Sequence, residues 1–233
     1  MTDYNRTPEA QDVFKEKRKP KGPIKFKLSL NEEQKEAKDT ILNTPVTLIE
    51  GKAGSGKTTL ACQIALDLLF RKDIEQIIIA RPFVTAGENI GYLPGGVDQK
   101  LEYLTFPIYD LMATMTGDPA KIEKIQSENK IKVMPVGFLR GHTFSDSMII
   151  IDEAQNLTKK QTELILGRLG ETSKLVFCGD KPQCDLPNKL DSGINLLYDL
   201  SKNIPSFGYV KLLQNHRHPI VDEILNYIKE NGL

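Results

Sequence analysis

Short runs of near-continuous apolar residues recur along this chain, at 46–50, 76–81, 130–136, 148–151, 174–178 and 209–213. They are too short for helices and too uniformly apolar for strands with one wet face. Such runs predict strands buried on both sides of a parallel sheet. Segments with a helical apolar period lie between them. Asn31 caps a predicted helix with Ala37, Ile41 and Leu42 along one face, and 59–70 repeats Leu60, Ile64, Leu68 and Leu69. Residues 97–115 carry Leu101, Leu104, Ile108, Leu111 and Met112 on one face, and 120–128 forms a shorter helix. Thr158 caps a helix through Leu169 that turns Leu164 and Ile165 inward, and 220–230 closes the series with Ile224, Leu225 and Ile228 inward. Strands alternating with helices predict an α/β fold, a three-layer sandwich around a mostly parallel sheet.

The polar stretches after these strands carry the chemistry. Behind the first run comes Gly51-Lys52-Ala53-Gly54-Ser55-Gly56-Lys57-Thr58, which fits G-x-x-x-x-G-K-[ST] at every position. Strand, glycine-rich turn and helix form the context in which backbone N–H groups curl around phosphate oxygens at a helix N-terminus. Gly51, Ala53, Gly54, Ser55, Gly56, Lys57, Thr58 and Thr59 are the candidate nucleotide-binding residues. Lys57 reaches the β- and γ-phosphates and Thr58 the Mg²⁺ ion. Upstream, the Gln34 amide offers the donor and acceptor that the adenine N6/N7 edge requires, although an exposed helix glutamine would look the same.

Asp152 and Glu153 follow the isoleucine run 149–151, at the strand end where open α/β sheets bind ligands. Asp152 is placed for Mg²⁺ and Glu153 for polarising the attacking water. Gln183 sits in a loop after the 174–178 strand, as a candidate contact to the γ-phosphate or the water. Arg217 is a candidate transition-state cation. Its neighbours His216 and His218 lack the third ligand a metal site needs.

Composition narrows the picture only at its margins. Lys+Arg and Asp+Glu both number 31, so any nucleic-acid surface must be local rather than a global field. One local cluster is Lys15, Lys17, Arg18, Lys19, Lys21, Lys25 and Lys27, interrupted by Pro20, Gly22 and Pro23. Residues 1–28 therefore read either as an arm that follows a phosphate backbone or as a solvated tail, ahead of one domain over 29–233. Cys62, Cys178 and Cys184 show no metal spacing. With no apolar run of membrane length and no signal-peptide core, they are expected to be reduced thiols of a cytoplasmic protein.

Taken in order, these stretches resemble the PhoH-like family, which is related to the superfamily 1 helicases. The resemblance rests on 51–58, on Arg81-Pro82 with Ala86-Gly87-Glu88 and Gly91-Tyr92-Leu93-Pro94-Gly95, and on Phe138-Leu139-Arg140-Gly141. It continues through Ile151-Asp152-Glu153-Ala154-Gln155-Asn156, Gly179-Asp180 with Gln183, and Arg217-His218-Pro219. It implies a RecA-like P-loop NTPase that binds and hydrolyses ATP with Mg²⁺. In the implied roles Gln183 is the γ-phosphate sensor, Arg217 the arginine finger and Gln34 the adenine reader. It further implies single-stranded RNA or DNA as partner. Superfamily 1 helicases take their finger from a second RecA-like domain, for which 233 residues leave no room. A homo-oligomer that supplies Arg217 in trans, with a hexameric ring favoured, is the expected solution.

Two other functions remain open on the sequence. A nucleic-acid-binding module could use ATP only as an assembly switch. A small-molecule kinase would share the phosphate loop but has no need of Glu153, since its nucleophile is the acceptor hydroxyl. A GTPase is disfavoured because no Asn-Lys-x-Asp sequence is present.

Overall fold

Strands that are apolar on both faces need a layer of helices on each side, and the chain supplies them. The computed structural model describes residue 26 and residues 29–82, 97–216 and 219–231. Its strands are β1 (Val46–Gly51), β2 (Gln76–Arg81), β3 (Ile131–Pro135), β4 (Ser147–Ile151), β5 (Lys174–Gly179) and β6 (Phe207–Leu212). They form one sheet in the order β3-β2-β4-β5-β1-β6, and every pairing is parallel. β4 is buried along its whole length, as a central strand should be.

The helices are α1 (Glu32–Asn43), α2 (Lys57–Arg71), α3 (Val97–Thr116), α4 (Pro119–Ser127), α5 (Lys159–Leu166), α6 (Ile194–Asn203) and α7 (Pro219–Asn231). Period-2 alternation splits the sheet's side chains between two cores. Ile49, Ile77, Ile79, Ile150 and Cys178 pack against α1–α4, while Leu48, Ile78, Ile149, Ile151 and Phe177 pack against α5 and α6. α2 runs through the first core, and even its Asp67 is buried, held by Lys38 and Arg71. Asn31 and Thr158 each close a reciprocal capping box, with Gln34 and Gln161, so α1 and α5 start where their caps predict.

Two expectations change. Residues 194–203 read as no element in the sequence, yet α6 forms there, burying Ile194 and placing Leu197 in the second core. Conversely, α7 forms as expected but leaves open two of the residues assigned to its inner face, Ile224 and Ile228; the side chain of Leu225 lies outside what is described. Ile224 is 51% exposed and Ile228 39%, and Ile220 and Tyr227 share that open stripe. A periodic pattern identifies a helix's apolar side, not whether anything covers it. Of the basic arm only Phe26 is described, half-buried against the α1–α4 core; the cationic residues 15–27 lie outside the described residues.

Candidate functional site

The site grows from the carboxyl ends of β1, β4 and β5, which the parallel register brings side by side. Glu50 pairs with Gly179 and Ile151 with Phe177, so 51–58, Asp152 and the segment after Gly179 share one edge. The turn out of β1 closes when the Ser55 N–H donates to the Lys52 carbonyl at 3.0 Å. Gly54 and Gly56 take φ of 88° and 83°, the left-handed region that L side chains avoid. Gly51 is needed for a different reason. A methyl group there would lie 2.5 Å from Ser55 Oγ and 2.9 Å from the Leu212 carbonyl oxygen.

Gly56 caps α2 without any side-chain hydrogen bond, so the first amides of the helix, through Thr59, are left without an intrahelical or capping partner. Ser55 is 2% exposed, and its hydroxyl has no hydrogen-bond partner among the described residues. The Lys57 ammonium donates to the carbonyls of Gly51 at 2.6 Å and Lys52 at 3.1 Å, which tethers it across the loop. A buried unpaired hydroxyl, open helix amides and a tethered cation are the donor set of an anion cradle. The loop fits a polyphosphate.

Asp152 closes the other side. It is 2% exposed and accepts from three donors: Thr58 Oγ1 at 2.7 Å on one oxygen, and Arg81 Nε and Nη2 at 2.7 and 2.5 Å on the other. The hydroxyl and carboxylate expected to hold Mg²⁺ therefore touch, and the oxygen-only chemistry of the pair suits that ion. Sequence reasoning gives Arg81 no role in the site. Its place at the end of β2, one residue past the Ala80–Ile151 pair and so level with Asp152, is the signal that could have found it.

Glu153 takes φ 55° and ψ 42°, ending the strand abruptly and leaving its carboxylate exposed. Gln155, also unassigned from sequence and 1% exposed, donates to Glu153 Oε2 at 2.6 Å and to the Gln183 carbonyl at 3.4 Å. Its own oxygen accepts the Asp180 N–H at 3.0 Å. Gln155 thus joins the proposed water-polarising residue to the loop of the proposed sensor. The Gln183 side chain itself is exposed. Asp180 is buried beside the phosphate loop; burial pushes its carboxyl above the usual aspartate range, against the pull of Lys57 and the Ala53 amide.

Gln34 lies close to the loop, its Nε2 3.3 Å from where a methyl on Gly56 would sit, while its Oε1 accepts the Asn31 N–H at 3.2 Å. Glu33 accepts the backbone N–H groups of Leu213 and Gln214, at 2.5 and 3.3 Å, and the His216 N–H donates to the Gly54 carbonyl at 3.0 Å. The segment after β6 is thereby fastened to the phosphate loop of its own chain. Arg217 and His218 lie outside the described residues, as do 83–96 with their Ala86-Gly87-Glu88 and Gly91–Gly95 motifs. No cluster of His, Cys, Asp and Glu suited to a metal occurs among the described residues.

Comparison with known proteins gives the chain its family. The family model described as PhoH-like protein matches residues 28–229. The chain belongs to the PhoH-like family. A PhoH-like protein of Synechocystis is 38% identical over 182 residues, covering 77% of this chain and 55% of that protein. Protein PhoH of Escherichia coli is 35% identical over 169 residues, covering 72% and 48%. This PhoH-like chain spans about half the length of the curated relatives it matches. Among solved structures, the large terminase of a thermophilic bacteriophage aligns with a TM-score of 0.54 and 10% identity, over 86% of this chain and 50% of that one. At that identity the likeness concerns the fold, a RecA-like α/β core. Among the described residues, no helix is long and apolar enough to cross a membrane.

Proposed function

We propose that this PhoH-like chain is an Mg²⁺-dependent ATPase that acts on single-stranded RNA or DNA. The observation that carries the reading is the buried Ser55 hydroxyl, unpartnered among the described residues, in a loop whose Thr58 also meets Asp152. Burying a hydroxyl unpaired costs about 1–3 kcal/mol, which a phosphate oxygen would return.

In this reading the loop amides and Ser55 hold the phosphate chain. Lys57 exchanges its two carbonyl partners for phosphate oxygens. Thr58 and Asp152 hold Mg²⁺, which when bound withdraws charge from the phosphate oxygens. Glu153 takes the proton of the attacking water, and Gln155 fixes the carboxylate that does so. Gln183 reads the γ-phosphate through the same Gln155 bridge. Gln34 turns its Nε2 toward the adenine. Arg217 supplies the transition-state cation.

Whether that cation comes from the same chain is testable, since His216 is bonded to the loop in cis. Mixing Lys57→Ala with Arg217→Ala protein restores turnover if Arg217 acts across a subunit interface, as a ring requires; no restoration assigns it to its own chain. The reading itself is tested by ATP turnover with and without single-stranded RNA and DNA, on wild type and Glu153→Gln. Stimulated turnover that the variant abolishes is expected. Nucleotide binding without turnover in either protein would leave ATP as an assembly ligand and remove the enzymatic reading.

A further inference from the structure

A second concave site lies on the opposite face of β1 from α2. In register, Leu48 pairs with Tyr209 and Glu50 with Lys211, so these four alternate onto the α6 side of the sheet. Past the buried Leu48 the face opens into a cavity of about 650 Å³ lined by Glu50, Lys181, Tyr198, Lys202, Tyr209 and Lys211. That volume falls within the range of about 300–1,000 Å³ typical of ligand pockets. The rings of Tyr198 and Tyr209 stand 5.6 Å apart at 53°, and Tyr209 is 40% exposed, so an aromatic wall is open to solvent.

The polar groups divide by role. The Tyr209 hydroxyl donates to Glu50, and the Lys211 ammonium lies 3.9 Å from the same carboxylate. The acid is thus engaged in holding Tyr209 in place. Asp199 also lines the cavity, but the Asn203 amide donates to it. Lys181 lies 5.6 Å from the centre of the Tyr198 ring, and Lys202 is exposed at the rim. Three lysines against two engaged carboxylates make this a local basic patch with an aromatic floor, on a chain of zero net charge.

Aromatic rings flanked by cations are what a base attached to a phosphate requires. We propose that this pocket takes one nucleotide unit of a single-stranded nucleic acid, its base against Tyr209 and Tyr198 and its phosphate on Lys202 and Lys211. The proposal rests on the nucleic-acid reading above and adds where the strand sits. It also ties the strand to the nucleotide site. Glu50 directly precedes Gly51, and Lys181 stands two residues before Gln183, so both sites share the same two segments. Each ligand should then change the other's affinity by the same factor.

The test is fluorescence anisotropy of labelled oligouridylate and oligothymidylate about twelve nucleotides long, titrated with the full chain at several salt concentrations. Tyr209→Ala should weaken binding about tenfold, whereas Tyr209→Phe, which keeps the ring and loses the hydroxyl, should stay within about twofold. Lys202→Ala, at an exposed position that keeps the fold in play, should lower the slope of log K against log salt by about 0.7. Strand binding that is equal in wild type and all three variants overturns the pocket and leaves the nucleic-acid reading standing. No strand binding by wild type overturns both. Free UMP is the second arm: if it binds in a Tyr209-dependent way and the strands do not, the pocket serves a mononucleotide and the strand assignment falls.

Discussion

Replacing Arg81 with alanine would remove two of the three hydrogen bonds on Asp152 and leave a carboxylate whose side chain is 3% exposed facing only Thr58. Breaking one side of a fully buried ion pair costs about 3–5 kcal/mol. Here the arginine is 28% exposed and one carboxylate oxygen keeps its partner, so a loss of about 2 kcal/mol is the reasoned figure. In a domain of this size that lowers the unfolding midpoint by roughly 4–8 °C. The assay is a thermal scan in EDTA without nucleotide. The decisive control is Asp152→Asn, which removes the charge that Arg81 neutralises. In that background Arg81→Ala should cost less than half as much, because the two residues act as a unit. An unchanged midpoint in the single variant, or full additivity in the double, would refute the claim that Arg81 is the charge partner of Asp152.

Three further outcomes are expected. Asp180→Asn should stabilise the nucleotide-free protein. Folded Asp180 keeps its proton to a higher pH than the unfolded chain, whose value is 3.8, so wild type loses stability as pH rises through the raised value. The gain, read by urea unfolding, should be largest near pH ~7.5 and vanish near pH ~3.5; a gain that grows on acidification contradicts the sign. Cys62, Cys178 and Cys184 are all buried, and burial pushes the thiols of the first two well above their usual value. Native protein should leave a thiol reagent unreacted until urea exposes all three, and rapid native labelling would contradict that burial. Gly193→Ala would bring a methyl to 1.9 Å from Thr162 Oγ1 and 3.0 Å from the Thr158 carbonyl oxygen, where α6 starts against α5. It should destabilise by about 1–3 kcal/mol, and a wild-type midpoint would mean the two helix starts can part.

The parts of this molecule that could be read from sequence are those whose signal is local. An isoleucine run such as 77–79 predicts its strand, Asn31 and Thr158 announce their helices, and 51–58 carries its geometry in its glycines. What stayed hidden depends on partners far away in the chain. Arg81 meets Asp152 across 71 positions; Arg81-Pro82 enters the resemblance with no role attached, and only the β2–β4 register brings the pair together. Gln155 reads as one more polar residue after Glu153 until the fold brings Asp180 and Gln183 to it. Tyr209 is legible as a strand residue, but its pairing with Tyr198 needs α6, a helix whose start at Gly193 has no capping side chain. The exposed stripe of α7 errs in the other direction, since period alone cannot supply a covering layer.

The left-handed backbone at Glu153 sets a trade between durability and work. A glutamate at φ 55° is held where glycine or asparagine would rest more easily, at a cost of order 1 kcal/mol. A chain drifting under selection for stability alone would therefore tend to lose its acid there. On the proposed role of Glu153 as the base for water, selection for turnover would pull the other way, because the same twist leaves the carboxylate exposed within reach of Gln155. Glu153→Gly should then yield a protein that is inert yet no less resistant to heat. Its occurrence among decayed copies of such a chain would mark the point at which catalysis ceased to matter.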